Sequence, residues 1–211
     1  MRFGLLSVCL FSAGAALADP CTDEIAALYA GGALDAFAQP PHRIETTSRL
    51  ADGTVQYEYL TFFDSPLRSM NGLKGQGLFT LAIGSDTWTG PTPDGPWTKM
   101  PNQMPVDMEA FRRDMQGQFA RNLTETDCPG LVDSDGETFR VYRYTTQTDK
   151  NDAQGGTFFG GSYTDFIDPD SGLLMRREET GSFAHYSPQP GTNVTVSVYS
   201  YDDARRLVAP D

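Results

Sequence analysis

A single helical repeat interrupts a chain in which hydrophobic residues otherwise tend to alternate with polar ones. From 106 to 123, hydrophobic side chains recur at spacings of three and four residues, which predicts an amphipathic helix packed along one side. Because methionine is flexible and polarizable, a stripe rich in it suits either plain core packing or the wall of an adaptable cavity. The stripe consists of Met104, Met108, Phe111, Met115, Phe119 and Leu123.

Alternation with a period of two surrounds this helix and predicts β-strands. We expect the strands at 43–50, 54–63, 67–70, 77–83, 87–89, 95–99, 138–146, 157–167, 173–180 and 194–201. A first helix of about ten residues starts near Asp19 and Pro20. The second strand places Val55, Tyr57, Tyr59 and Phe63 on one face, which we expect to be buried. The fold class predicted is α+β: a strongly curved antiparallel sheet, or half-barrel, with helices covering its concave face.

Residues 1–18 have the three parts of a secretory signal peptide. Arg2 is followed by an apolar run, and Ala16-Leu17-Ala18 fits the small-x-small cleavage pattern. The run is too short and too interrupted by glycine to make a stable membrane anchor, so we favour cleavage over an uncleaved membrane helix. We expect a mature chain of one domain, 19–211, without a membrane span. Its compartment is expected to be the periplasm, with full secretion as the alternative.

Two cysteines remain after removal of this segment, Cys21 and Cys128. In an exported chain, a lone pair of cysteines usually forms one disulfide, and only one connectivity exists. Closing a loop of about a hundred residues stabilises the fold by about 4 to 5 kcal/mol in the chain-entropy model. A redox pair is the alternative, but redox cysteines normally lie close together in sequence.

The formal net charge of −12 restricts the partners of this protein. Nucleic acid is excluded as an expected partner because its phosphates would be repelled, and anionic lipid headgroups are disfavoured for the same reason. We therefore expect a partner to be reached through apolar contact.

The sequence shows no arrangement typical of catalysis. It has no G-x-S-x-G, and we interpret His42 and His185 as ordinary surface residues. Too few His and Cys residues remain for a zinc site, and the spacing of Asp165, Asp168 and Asp170 fits a hairpin turn better than a calcium loop. We predict no enzyme, no metal and no cofactor, although paired carboxylates that meet only in space stay open.

Both tryptophans of the chain flank one proline-rich loop, in the stretch DTWTGPTPDGPWTKMP that starts at Asp86. Facing positions of Trp88 and Trp97 on two short strands would stabilise the sheet. Contact with the rim of a cavity is the alternative.

Several short motifs resemble the superfamily of periplasmic lipoprotein carriers and lipid-binding proteins that includes LolA, LolB and the LppX/LprG type. Similar to motifs of that group are FTLAI-GSD-TW from Phe79, GPWTK from Gly95, DPDSGLLMR from Asp168 and VYSYDD from Val198. The resemblance implies a half-barrel whose hydrophobic cavity takes acyl chains.

From this resemblance we expect a non-enzymatic binding protein that holds an acyl chain, lipid or lipoprotein moiety, with an envelope protein as a candidate second partner. An envelope interaction or stress-sensing domain of the same fold, with a filled core, is the alternative. The hypothetical ligand-binding residues are Met108, Phe111, Met115, Phe119, Tyr57, Tyr59, Phe63, Trp88 and Trp97.

Overall fold

Eleven antiparallel strands form one open sheet in the computed structural model, which describes residues 19–101, 104–152, 155–202 and 204–210. The predicted signal peptide lies outside the described residues. The elements are α1 (Pro20–Tyr29), β1 (His42–Arg49), β2 (Val55–Ser65), β3 (Arg68–Leu73), β4 (Leu78–Ile83), β5 (Asp86–Gly90), β6 (Thr98–Lys99), α2 (Met108–Arg121), β7 (Thr124–Ser134), β8 (Glu137–Gln147), β9 (Phe159–Ile167), β10 (Leu174–Ala184) and β11 (Val194–Ser200).

Two meanders meet at the centre of this sheet. The strand order is β6-β5-β4-β3-β2-β1-β11-β10-β9-β8-β7, so the first and last strands pair with each other and every other neighbour is also a neighbour in sequence. Both helices contact the same end of the sheet, α1 against β7 and α2 against β8. The predicted α+β half-barrel, an unclosed and curved antiparallel sheet with helices on one face, is confirmed.

One strand, β7, was not predicted from the sequence. Its register against β8 shifts twice, and its backbone contains Pro129 and the positive φ angles of Glu125 and Gly130. These irregularities break the alternation of apolar and polar residues on which a strand prediction depends. The segment after α2 is therefore an edge strand that continues to the turn at Asp135 and Gly136.

Buried clusters lie on both faces of the sheet, and strands β8 and β9 contribute to both, because Phe139, Val141 and Phe166 form a cluster on the side opposite Tyr142 and Tyr144. On the face that carries the helices, here called the helix face, Ile25 and Tyr29 of α1 pack against Tyr142 and Tyr144 of β8. The register of the strands places the second cluster on the other side, here called the outer face. That cluster is centred on Met70, Phe79, Leu81 and Trp88.

Covalent and capping contacts determine the position of α1. Asp19 caps the helix by accepting a hydrogen bond from the backbone N–H of Cys21 at 3.1 Å, and Pro20 follows in the first turn, where its missing N–H costs nothing. The predicted disulfide between Cys21 and Cys128 is confirmed, with Cα atoms 5.7 Å apart. It attaches the start of α1 to strand β7.

Candidate functional site

A cavity of about 790 Å³ opens between α2, the segment that leads into β9 and the segment that follows β10. Its volume lies within the range of small-molecule sites, which are about 300 to 1,000 Å³. The walls come from α2, from the chain following β8, and from the end of β10. Helix α2 begins at Met108, after Asp107 caps it through the N–H of Ala110. The cavity is the candidate site of this protein.

Aromatic side chains form the apolar part of the cavity. Phe111, Phe159 and Tyr186 all line it, and 42%, 45% and 82% of their respective surfaces are exposed. Met115 of α2 and Phe158 add to the same lining. Large hydrophobic side chains that remain accessible around one opening are a typical feature of a ligand or partner site.

Stacked rings connect this lining to the core. The ring of Phe159 meets Phe119 edge to face at 5.8 Å, and Phe119 stacks on Tyr29 at 6.4 Å. Phe119 thus packs into the cluster beneath the helices, whereas Phe111 and Met115 face the cavity. The hydrophobic stripe of α2 therefore serves both roles left open by its sequence: its C-terminal half is core and its middle is a cavity wall.

Polar contacts of Asp149 connect the cavity wall to α2. The backbone N–H of Asp149 donates to Oε1 of Gln118 at 2.9 Å, and its carboxylate accepts from Nδ2 of Asn122 at 2.7 Å and pairs with Arg121. The hydrogen bond from Asn122, followed by that from Arg121, lowers the pKa of Asp149. The chain after β8 is thereby fastened to the last turn of α2.

A buried network of hydrogen-bonded polar side chains lies on the helix face next to this region. Arg177 binds both carboxylate oxygens of Asp165, and Tyr144 donates to the same carboxylate at 2.7 Å. The hydroxyl of Tyr144 also lies 3.0 Å from that of Tyr29 on α1. Burial raises the pKa of both tyrosines, so they stay protonated and act as donors. This network connects α1 to the sheet, and each of its acidic or basic members is paired within it.

The remaining predicted site residues do not line the cavity. Met108, the first residue of α2, is buried, while Tyr57 of β2 is 37% exposed on the helix face. Tyr59 donates a hydrogen bond to Asn71 at 2.9 Å, and Phe63 stacks on His42. The β2 face that we expected to be buried is thus only partly covered. The opposite side of β2 contributes Leu60 and Phe62 to the outer cluster.

Both tryptophans lie on the outer face, away from α2. Trp88 belongs to the outer cluster and Trp97 packs against that cluster. The expected facing pair was wrong, because Lys99, and not Trp97, is the cross-strand partner of Trp88. Trp97 instead folds back over Gly90, where an added Cβ would come within 2.9 Å of its ring. The tryptophans thus share one cluster without pairing across strands.

His42 differs from its predicted role as a surface residue. Its side chain is buried between Phe63, Tyr199 and Tyr201, and its Nδ1 lies 2.8 Å from the carbonyl oxygen of Pro40. Burial lowers the pKa of His42. Its neutral ring is a core element. His185 is exposed, as predicted.

Sequence reasoning missed half of the cavity. Phe158 and Phe159 come from the start of the strand expected at 157–167, and Asp149 and Tyr186 from segments between the expected strands. Ala153 and Gln154 lie outside the described residues. The adjacent aromatics at 158–159 were the available signal, because neighbouring strand residues point to opposite faces and one of them must face away from the core.

Within the described ranges, no group of three His, Cys, Asp or Glu side chains is placed to hold a metal ion. In that same part of the chain, no helix has the length and hydropathy needed to cross a membrane.

No protein-family model and no curated protein matches this chain. Among solved structures, it is similar to the lipoprotein LppX of Mycobacterium tuberculosis, with 14% identity, a TM-score of 0.44, and coverage of 84% of this chain and 94% of that chain. A LolA superfamily protein of Nitrosomonas europaea has 14% identity and a TM-score of 0.33, over 86% and 94% of the two chains. LprF of Mycobacterium bovis has 10% identity and a TM-score of 0.43, over 90% and 97%. The structures that it is similar to thus include LppX and a LolA superfamily protein, the group whose motifs its sequence resembles.

Proposed function

We propose that this protein is an exported, non-enzymatic binding protein that holds an acyl chain or a lipid in the cavity beside α2. The observation that carries the proposal is the convergence of Phe111, Phe159 and Tyr186 on one opening of about 790 Å³. Covering such side chains with an apolar ligand contributes about 25 cal/mol per Å² of area removed from water.

The polar rim suits the other end of an amphiphilic ligand. Lys150 lies 5.5 Å from the centre of the Phe158 ring, and Asn151 and His185 line the same opening. A headgroup there would stay in water, while the acyl chain of the ligand would enter between α2 and β9. Over β1 to β5, the helix face mixes polar side chains, such as Thr46, Asn71 and Thr80, with apolar ones, such as Ile44 and Leu73. The proposal places the ligand beside α2, where Phe111, Phe159 and Tyr186 converge on one opening.

Titration with a naturally fluorescent fatty acid, cis-parinaric acid, tests this proposal on the delipidated protein. We expect saturable binding that the Met115→Asp variant weakens at least about tenfold, because the new carboxylate would have to be desolvated. Val106→Asp is the matched control, since Val106 is 95% exposed, lies two residues before the same helix and does not line the cavity. Equal affinities of the two variants, or no binding by the unaltered protein, would contradict the proposal.

An interaction domain with a filled core is the second candidate, and the packing beneath the helices favours it. Ile25 is fully buried, and Tyr144 and Met108 are nearly so. If this function is correct, Met115→Asp lowers the free energy of unfolding without any ligand to lose. Solvent extraction and mass spectrometry of protein purified from its own cell envelope would then recover no lipid.

A further inference from the structure

The segment 204–210 lies against the outer face of the sheet and has no regular secondary structure. Its central residue, Leu207, is 4% exposed and packs into the outer cluster with Met70, Leu81 and Trp88. Because the segment belongs to no strand, side chains of the sheet make the contacts that hold it.

Two side chains bind the main chain of Leu207. Its N–H donates to Oδ2 of Asp64 at 3.0 Å, and its carbonyl oxygen accepts from Nη1 of Arg68 at 3.1 Å. Such contacts recognise an extended backbone whatever its side chains are, while a pocket next to them selects the residue type. Here the pocket is apolar and holds leucine.

A second residue of the segment, Arg205, is bound through an ion pair. Nη2 of Arg205 donates to Oδ1 of Asp94 at 2.6 Å, and its guanidinium lies 5.8 Å from the ring of Phe62. Arg205 is separated from Leu207 by one residue. The groove thus combines a carboxylate for an arginine with an apolar pocket for a leucine, at the spacing of an extended chain.

The groove is wider than the segment inside it. A cavity of about 520 Å³ borders Asp64, Arg68 and Arg206, and another of about 230 Å³ borders Trp97 and Val208. Val208 itself remains 66% exposed. The segment is therefore held at Arg205 and Leu207 and packs loosely between and beside them.

We propose that this groove is a recognition site for an extended peptide of another protein, in which an arginine stands two positions before a leucine. Residues 204–210 occupy it as an internal competitor. The excess of acidic residues in the chain, with a net charge of −12, favours the approach of a basic peptide. Because the internal segment is tethered, it competes at high effective concentration and is displaced only by a partner that also uses the free space beside it.

Removing the competitor tests the proposal directly. A chain that ends at Asp202 is titrated with a fluorescein-labelled peptide of the sequence ARRLVAP, and anisotropy reports binding. Both tryptophans of the chain lie at this groove, so intrinsic fluorescence gives a second readout. We expect binding by the shortened chain, weaker binding by the full chain, and at least about a tenfold loss with the control peptide ARRAVAP, because it lacks the buried leucine side chain.

Circular dichroism establishes that the shortened chain is folded. If it is not, the full chain carrying Leu207→Ala replaces it, since this variant keeps the segment but weakens its docking; it should then bind ARRLVAP more tightly than the unaltered chain does. The proposal is overturned if the folded variant fails to bind ARRLVAP, if ARRAVAP binds equally well, or if the full chain binds as tightly as the variant.

Discussion

Arg177 and Asp165 form a two-pronged ion pair on the helix face, with Nε 2.7 Å from Oδ1 and Nη2 2.9 Å from Oδ2. Asp165 is completely buried, and the side chain of Arg177 is 25% exposed. Burial by itself lowers the pKa of Arg177, but the negative charge of Asp165 and smaller contributions from its neighbours outweigh burial and raise this pKa above its ordinary value. The pair joins neighbouring strands β9 and β10 and, through Tyr144, reaches α1.

We predict that Asp165→Asn lowers the free energy of unfolding by about 3 kcal/mol, because it leaves a largely buried guanidinium without its counter-charge. Urea denaturation followed by circular dichroism measures the change. Asp127→Asn is the matched control, since it breaks the exposed pair with Arg143 and should cost less than about 1 kcal/mol. If both variants lowered the free energy of unfolding by the same amount, the buried ion pair would stabilise the fold no more than an exposed pair does.

The disulfide should make a contribution of similar size. Replacing both Cys21 and Cys128 by serine is expected to lower the free energy of unfolding by about 4 kcal/mol, because the unfolded chain regains the entropy of an open loop. A thiol reductant should lower the urea midpoint of the natural chain and leave that of the double variant unchanged. A natural chain insensitive to reductant would contradict this prediction.

His42 should make stability depend on pH near neutrality. Burial lowers its pKa in the folded state below the ordinary value of 6.5, so between the two values only the unfolded chain binds the proton. The free energy of unfolding should therefore be highest above pH 6.5 and fall as the pH is lowered below it. His42→Phe should flatten this decline in urea titrations between pH 7 and pH 5, and an unchanged slope would be evidence against a neutral buried ring.

Glu179 should affect the pH dependence of stability in the direction opposite to that of His42. Burial raises its pKa above the ordinary value of 4.5, although the nearby charge of Arg177 partly opposes the rise. The folded chain then holds the proton to higher pH than the unfolded chain, so this residue favours folding below pH 4.5 and disfavours it as the pH rises through the folded value. Glu179→Gln is expected to raise the melting temperature at pH 7, with a smaller gain at pH 4. A gain that is equal at both pH values would have a different cause.

Two phenylalanines of α2 should separate stability from binding. Phe119→Ala is expected to lower the free energy of unfolding by about 3 kcal/mol, because it opens a void between Tyr29 and Phe159. Phe111→Ala removes a side chain that is 42% exposed and should change stability little, while weakening the binding of cis-parinaric acid. Denaturation and fluorescence titration of both variants measure the two effects, and loss of stability in both would assign Phe111 to the core.

Local patterns were sufficient to predict most elements of the sheet. Alternation identified strands such as β4 and β11, and the spacing of Met108, Phe111, Met115 and Phe119 identified α2. The edge strand β7 escaped because Pro129 and Gly130 interrupt its alternation. Periodicity indicates only which residues share one face of an element, so a strand with bulges cannot be predicted from it.

Of the candidate site, the sequence revealed the contribution of α2 and little else. Phe111 and Met115 line the cavity, but Phe158, Phe159 and Tyr186 reach it from segments far along the chain. Trp88 and Trp97 stood out by rarity, and they pack on the opposite face of the sheet. Which face a strand buries depends on what is packed against it, which a single strand does not encode.

The sequence by itself determined the types and order of the elements other than β7, and the one possible disulfide between Cys21 and Cys128, because spacing and cysteine number are properties of the chain alone. Only the tertiary structure decided that α1 packs on one face of the sheet while Met70 and Trp88 are buried on the other, that His42 and Asp165 are core residues, and that Leu207 covers the outer cluster. Each of these depends on contacts between residues distant in sequence. Such contacts form through strand register and long-range packing, which leave no periodic trace in the residues that make them.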